Sequence, residues 1–161
     1  MSSSTNAPEE RLAEMGLTVP EVPKPVAVYV PALRSGSYVY TSGRLPMRVG
    51  ELITTGKVGG GVTAEEAYAC AQQCALNAIA AVKSQVGDLG SVVRIVKVVV
   101  FVASAPDFTG QAGVANGASE LIGQVFGDAG VHARSAVGVA VLPLDAPVEV
   151  ELVAEVGSTV A

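Results

Sequence analysis

His132-Ala133-Arg134-Ser135-Ala136-Val137-Gly138-Val139-Ala140-Val141-Leu142-Pro143 is followed, three residues on, by Pro147-Val148-Glu149-Val150-Glu151-Leu152-Val153-Ala154-Glu155-Val156. Both runs are apolar and rich in β-branched residues. A short Pro/Asp turn separates them, which is the pattern of a strand pair near the C-terminus. The first run opens on a lone Arg134, and the second carries Glu149, Glu151 and Glu155 inside an otherwise apolar run. A permanent cation at the mouth of one strand and a carboxylate on the next suit the holding of a small carboxylate and a water.

Upstream, Val92 to Val102 is a strongly β-branched run broken only by Arg94 and Lys97. Residues three apart fall on opposite faces of a strand, so the alternation is imperfect, and a mostly apolar run suggests a central strand. Thr63-Ala64-Glu65-Glu66 is a capping box, with a Thr hydroxyl and a Glu carboxylate satisfying each other's backbone amides. It predicts a long helix from there to about Val86. A second helix is expected over Gln111–Gly127, although Gly113, Gly117 and Gly123 weaken it unless packing there is very close. Val26–Pro31 and Tyr38–Thr41, around the turn residues Arg34-Ser35-Gly36-Ser37, predict an N-terminal hairpin. Residues 47–62 read as a polar, Gly-rich connection. Gly59-Gly60-Gly61 lacks the Lys-Ser/Thr ending of a phosphate loop. Residues 1–25 form an arm. Pro8–Met15 is a short helix capped by Asn6 and ended by Gly16, and Pro20, Pro23 and Pro25 stiffen an extended linker after it. The remaining residues, 26–161, make a single domain.

The order β-β-α-β-α-β-β predicts an α+β fold: one mixed sheet with two helices on one face. Half of the 161 residues are hydrophobic, mostly Ala and Val, with only 4% aromatic. One helix layer leaves the other sheet face needing cover, and a second copy of the chain is the simplest source, hence a symmetric homo-oligomer. The net charge of −5 and the lack of a basic patch argue against nucleic acid. No apolar run reaches the roughly 20 residues of a membrane span. The polar start, Met1 to Asn6, lacks the order of a signal peptide, so a cytoplasmic protein is expected. Cys70 and Cys74, four apart in the predicted helix, read as packing residues. With one His in the chain, no metal-ligand set is visible.

Three separated motifs then carry a resemblance. Ala133 to Pro143 with Val148-Glu149-Val150-Glu151 resembles the C-terminal signature of the RidA/YjgF/UK114 family. Tyr40-Thr41-Ser42-Gly43-Arg44-Leu45-Pro46 is similar to the family's strand ending in Thr-Ser-Gly-Gln-hydrophobic-Pro. Val100-Phe101-Val102 with Asp107-Phe108 resembles its central strand and following turn. The resemblance implies a chorismate-mutase-like fold and a homotrimer with three clefts at subunit interfaces. It further implies hydrolysis of reactive enamine/imine intermediates, such as 2-aminoacrylate, to a 2-keto acid and ammonia, in the manner of a 2-iminobutanoate/2-iminopropanoate deaminase. No metal and no organic cofactor are implied. Other members are called translation inhibitors or endoribonucleases, and a non-catalytic small-carboxylate binder or regulatory, chaperone-like protein is the alternative.

Carried over position by position, Arg134 matches the family's substrate-carboxylate arginine and Glu149 the glutamate beside the attacking water. Tyr29, seven residues before Gly36, matches a cleft tyrosine. Asn116 matches a cleft asparagine if a short insertion follows Phe108. Ser42 and Gly43 match the cleft loop. Ala136 stands where many members have Cys, Gly138 where a polar residue is common, and Arg44 where Gln is usual. These departures, the arm and the insertion place the chain in a longer branch.

Overall fold

The structure, a computed structural model, describes residues 7–24 and 28–158. Its backbone is a five-stranded mixed sheet under a layer of helices. Helix α1 (Ala7–Glu14) precedes strands β1 (Ala32–Ser35) and β2 (Tyr38–Thr41). A small ribbon, β3 (Met47–Arg48) and β4 (Glu51–Leu52), comes next. Then come α2 (Ala64–Val86), β5 (Val92–Ala103), α3 (Gln111–Phe126), β6 (Ala133–Val139) and β7 (Val148–Val156). The sheet order is β1-β2-β7-β5-β6. Only β5 and β6 run parallel; β1–β2, β2–β7 and β7–β5 are antiparallel. This is the expected α+β architecture.

Helix α2 starts where the capping box places it. Glu66 N donates to Thr63 Oγ1 and Thr63 N to Glu66 Oε2, each at 3.1 Å. Its buried face (Ala67, Cys70, Ala71, Cys74, Ala75, Ala78, Ile79 and Val82) and Val114, Ala118, Leu121, Ile122 and Val125 of α3 share one core with the sheet. From the sheet, Ile95, Val98, Val100 and Val102 of β5 and every second residue of β7 from Val148 to Val156 point into that core. Among the described residues, no helix covers the opposite sheet face. It presents Leu33, Tyr38, Tyr40 and Val137, all exposed.

Four expectations are corrected. The C-terminal runs do not pair with each other. Strand β5 lies between them, parallel to β6 and antiparallel to β7. The α3 crossover delivers β6 parallel to one edge of β5. The 3₁₀ turn Pro143–Asp145, with Leu144 and Asp145 at φ 59°, then carries the chain over to the other edge. Second, Arg94 and Lys97 share a face, opposite Glu155 and Val153, because β5 bulges at Val93 and Val96 and each extra residue resets the alternation. Third, the first strand is Ala32–Ser35. Gly36, at φ 60°, supports a two-residue turn, so pairing runs up to Ser35↔Tyr38. Of the run expected there, Val26 and Ala27 lie outside the described residues, and 28–31 form no strand. Fourth, the 47–62 connection is not all loop. Val49 and Gly50, both at positive φ, close the β3–β4 ribbon.

The N-terminal helix packs into the same core. Leu12 is 1% exposed, a burial worth about 1.5–3 kcal/mol. Arg11 Nη1 donates to Val125 O at 3.1 Å, and Lys83 pairs with Glu9 at 2.5 Å. These contacts set α1 at the C-terminal ends of α2 and α3. The Asn6 cap lies outside the described residues.

The glycine-rich α3 is helical because packing is close at one point. A Cβ on Gly117 would lie 2.2 Å from the Tyr68 carbonyl oxygen and 3.2 Å from the Ala71 Cβ, both on α2. A Cβ on Gly113 meets nothing within 4 Å. Gly117→Ala is therefore expected to lower stability by about 1–3 kcal/mol despite a better helix propensity. Gly113→Ala should leave it unchanged or raise it by up to about 1 kcal/mol. Urea denaturation of the two variants checks the opposite signs.

Candidate functional site

Arg134 sits on the edge strand β6, in register with Val98 of β5. Val98 faces the helices, so Arg134 does too, and its guanidinium meets α3. Nη1 donates to Asn116 Oδ1 at 2.8 Å and to Ser119 Oγ at 3.1 Å. Asn116 and Ser119 are three apart, one above the other on the same helix face. Both acceptors are neutral. Among the described residues, no carboxylate lies within ion-pair distance of Arg134 and none bonds its Nε or Nη2. Two of the expected site residues, Arg134 and Asn116, thus meet within a single chain. Ser119 is the member the motifs missed; its i,i+3 spacing from Asn116 is the signal that would have found it. Ser119 is in turn linked to His132, whose Nε2 lies 2.9 Å from Ser119 Oγ and whose Nδ1 lies 2.6 Å from Gly130 O.

Glu149 sits on β7, in register with Phe101 of β5. Its neighbours along the strand, Val148 and Val150, are fully buried in the core, so Glu149 points to the open face. A loop of the same chain covers it. Arg44 bridges Val150 through two backbone bonds, Arg44 N to Val150 O at 2.8 Å and Val150 N to Arg44 O at 3.0 Å. That brings Gly43 over the Glu149 carboxyl, where a Cβ would lie 2.7 Å from Cδ. Any side chain at 43 would displace the carboxylate. Burial, and secondarily the charge of Glu151, pushes the Glu149 carboxyl above its ordinary value. Ser42 does not offer its hydroxyl to the open face, because Oγ donates to Val30 O at 2.6 Å and fastens the segment that carries Tyr29. Tyr29 itself is 61% exposed. Arg44, in register with the core-facing Val150, is turned to the helix side, where burial lowers the pKa of its guanidinium.

The candidate residues therefore form two half-sites. Arg134 with Asn116 lies on the helix side of the sheet. Glu149 with Gly43 lies on the open side, and Tyr29 belongs to the segment that Ser42 fastens. One chain does not bring the halves together. Neither cysteine adds chemistry. Burial raises the Cys70 thiol to about 11 and the Cys74 thiol well above its ordinary value, so both stay protonated at neutral pH. Among the described residues, no cluster of three or more His, Cys, Asp or Glu could hold a metal ion, and no helix is long and apolar enough to cross a membrane.

Residues 9–156 match the family described as "YjgF/chorismate mutase-like, putative endoribonuclease". The chain belongs to the YjgF/RidA family. The match takes in all seven sheet and ribbon strands and the three helices from Glu9 of α1 onward. Protein TCP17 of Trypanosoma cruzi is 43% identical over 148 residues, covering 91% of this chain and 92% of TCP17. The crystal structure of Atu1372 from Agrobacterium tumefaciens superposes with a TM-score of 0.89 at 44% identity, over 95% of this chain and 94% of that one. Escherichia coli TdcF, solved with bound serine, is more distant: TM-score 0.59 and 28% identity, over 86% and 94% of the two chains. The YjgF/RidA fold is thus shared with both, and the closer superposition is with Atu1372.

A buried carboxyl that ionises late in the fold and at about 4.3 in the unfolded chain disfavours folding once it is charged. The neutral form's stabilisation is fully present below the unfolded value and is lost as pH rises through the raised, folded one. Glu149→Gln is expected to raise the Tm at about pH 8 and to leave it unchanged at about pH 3.5, where wild type is protonated too. Thermal melts at both pH values test this; an equal Tm difference at both contradicts the assignment.

Proposed function

We propose that this YjgF/RidA member hydrolyses reactive enamine/imine intermediates of amino-acid chemistry to a 2-keto acid and ammonia. The reaction takes place in clefts between the subunits of a cytoplasmic homotrimer, with neither metal nor organic cofactor. The observation that carries the reading is the state of Arg134: a guanidinium oriented by two neutral acceptors, with no acidic partner among the described residues. Arg in this state is a preformed receptor for a planar anion, since its free N–H edge matches a carboxylate. A 2-imino acid is such an anion. The serine bound by the relative TdcF is an amino acid of the same size class.

The chemistry follows from the two half-sites once two copies meet. Arg134 and Asn116 of one copy hold the substrate carboxylate. Glu149 of the next, its pKa raised by burial, orients a water and takes its proton as the oxygen attacks the imine carbon. The C=N double bond becomes a single bond, and its nitrogen gains a proton from Glu149, Tyr29 or solvent. The carbinolamine amine then takes a second proton, its hydroxyl gives one up to the same base, the C–N bond breaks, C=O forms and ammonia leaves. Overall, imino acid plus water gives keto acid plus ammonia. Imine hydrolysis has a modest barrier, so orientation is a sufficient contribution. The Ser42–Gly43 loop fixes the Glu149 carboxyl against which the water is held.

A second reading, a non-catalytic binder of small carboxylates, is favoured by the Arg134–Asn116 half-site being complete within one chain while the Glu149 half lies elsewhere. RNA cleavage is disfavoured by the net charge of −5. Turnover separates the first two. Arg134→Ala is expected to lower kcat/KM for keto-acid release from an imine generated in situ by about two orders of magnitude or more. Release at the wild-type rate would end the hydrolase reading. Ligand-induced stabilisation of wild type without release would establish the binder.

A further inference from the structure

The chain has one histidine, and its surroundings fix its hydrogens. Gly130 O can only accept, so the 2.6 Å contact places the ring hydrogen on Nδ1. In the Nδ1–H tautomer Nε2 is an acceptor. The Ser119 hydroxyl, 2.9 Å away, must donate to it. With its hydrogen committed to His132, Ser119 Oγ can offer only lone pairs to Arg134 Nη1 at 3.1 Å. Every member of the row thus has one consistent direction: Arg134 to Ser119 to His132, and His132 to Gly130.

The anchor of the row is also built in. A Cβ on Gly130 would lie 2.6 Å from Ile122 O, so only glycine lets this turn lie against α3 and aim its carbonyl at the ring. A cleft of about 330 Å³, lined by Ser119, Gly123, Gly130, Val131, His132 and Arg134, runs alongside. The row therefore borders space open to a ligand.

We infer that Ser119 and His132 are positioning residues for Arg134, holding its guanidinium in the rotation that turns Nε and Nη2 toward a ligand carboxylate. The inference rests on Arg134 being the carboxylate anchor. Asn116 alone gives Nη1 one acceptor, about which the group can swing. Ser119, a turn further along α3, gives a second and so fixes the plane. A serine hydroxyl has one hydrogen and two lone pairs, and His132, by taking the hydrogen, leaves a lone pair directed at Arg134.

The test uses the full chain with pyruvate as probe. Ser119→Ala and His132→Leu break the row. Ser119→Thr keeps the hydroxyl, and His132→Gln keeps an acceptor near the Nε2 position. Pyruvate affinity by calorimetry is expected to fall about tenfold in Ser119→Ala and in His132→Leu. KM should rise in parallel while kcat stays within about twofold. Ser119→Thr and His132→Gln should recover affinity to within about threefold. The ¹⁵N spectrum of the lone histidine should show the Nδ1–H tautomer in wild type, and its Nε2 signal should move in Ser119→Ala and on adding pyruvate. A generally loosened fold would not produce rescue by the conservative variants or the tautomer signature. Unchanged pyruvate affinity in Ser119→Ala and His132→Leu, with binding lost in Arg134→Ala, would overturn this inference alone, as would an Nε2–H tautomer. Unchanged affinity in Arg134→Ala would overturn the carboxylate-anchor reading and this inference with it.

Discussion

The molecule depends on the register of β5. This one strand carries β6 on one edge and β7 on the other, pairing Val98 with Arg134 and Phe101 with Glu149. Positions 98 and 101 differ by an odd number, and the stretch between them is free of bulges, so their faces are opposite. The register is held by the core. Val98, Val100, Val102, Val148 and Val150 are all fully buried. A one-residue slip of β7 would turn its apolar row outward and Glu149 and Glu151 inward, and a slip of β6 would turn Arg134 away from α3. The hydrophobic pattern that makes the sheet is therefore the same constraint that separates the cation from the carboxylate.

That separation gives each group an environment suited to a different task. Arg134 meets only neutral oxygens and keeps donors free for an anion. Glu149 is pressed under the Gly43 backbone, loses water, and has its pKa raised by burial and by Glu151. The two groups lie on strands that flank β5 and on opposite faces of the sheet, so neither neutralises the other. An uncovered face with exposed Leu33, Tyr38 and Tyr40 beside Glu149 is also a surface that another copy of the chain can cover.

Much of this was legible in the chain because it is written locally. Thr63 and Glu66 announce α2 through two reciprocal bonds, and the alternation of Val148 to Val156 declares β7. The motif residues Arg134, Asn116, Glu149 and Gly43 fall into two groups the sequence could name but not place. What stayed hidden is non-local. Nothing between Leu142 and Val148 says that the two last strands flank a third instead of pairing. The bulges at Val93 and Val96 depend on the partner strand, so the spacing of Arg94 and Lys97 misleads. His132 gains meaning only when the turn at Gly130 packs against Ile122 of α3, a contact between backbones that leaves no pattern in side chains.

A site shared between copies is tested most directly by mixed assemblies. Subunits carrying Arg134→Ala and subunits carrying Glu149→Gln, each expected to be inactive alone, are co-assembled in equal amounts and assayed for keto-acid release. Random mixing places an intact Arg134 opposite an intact Glu149 in about a quarter of the clefts, so about a quarter of the wild-type activity is expected to return. No recovery in assemblies shown to be mixed would mean that both residues act from a single chain, contrary to the opposite faces on which β5 holds them.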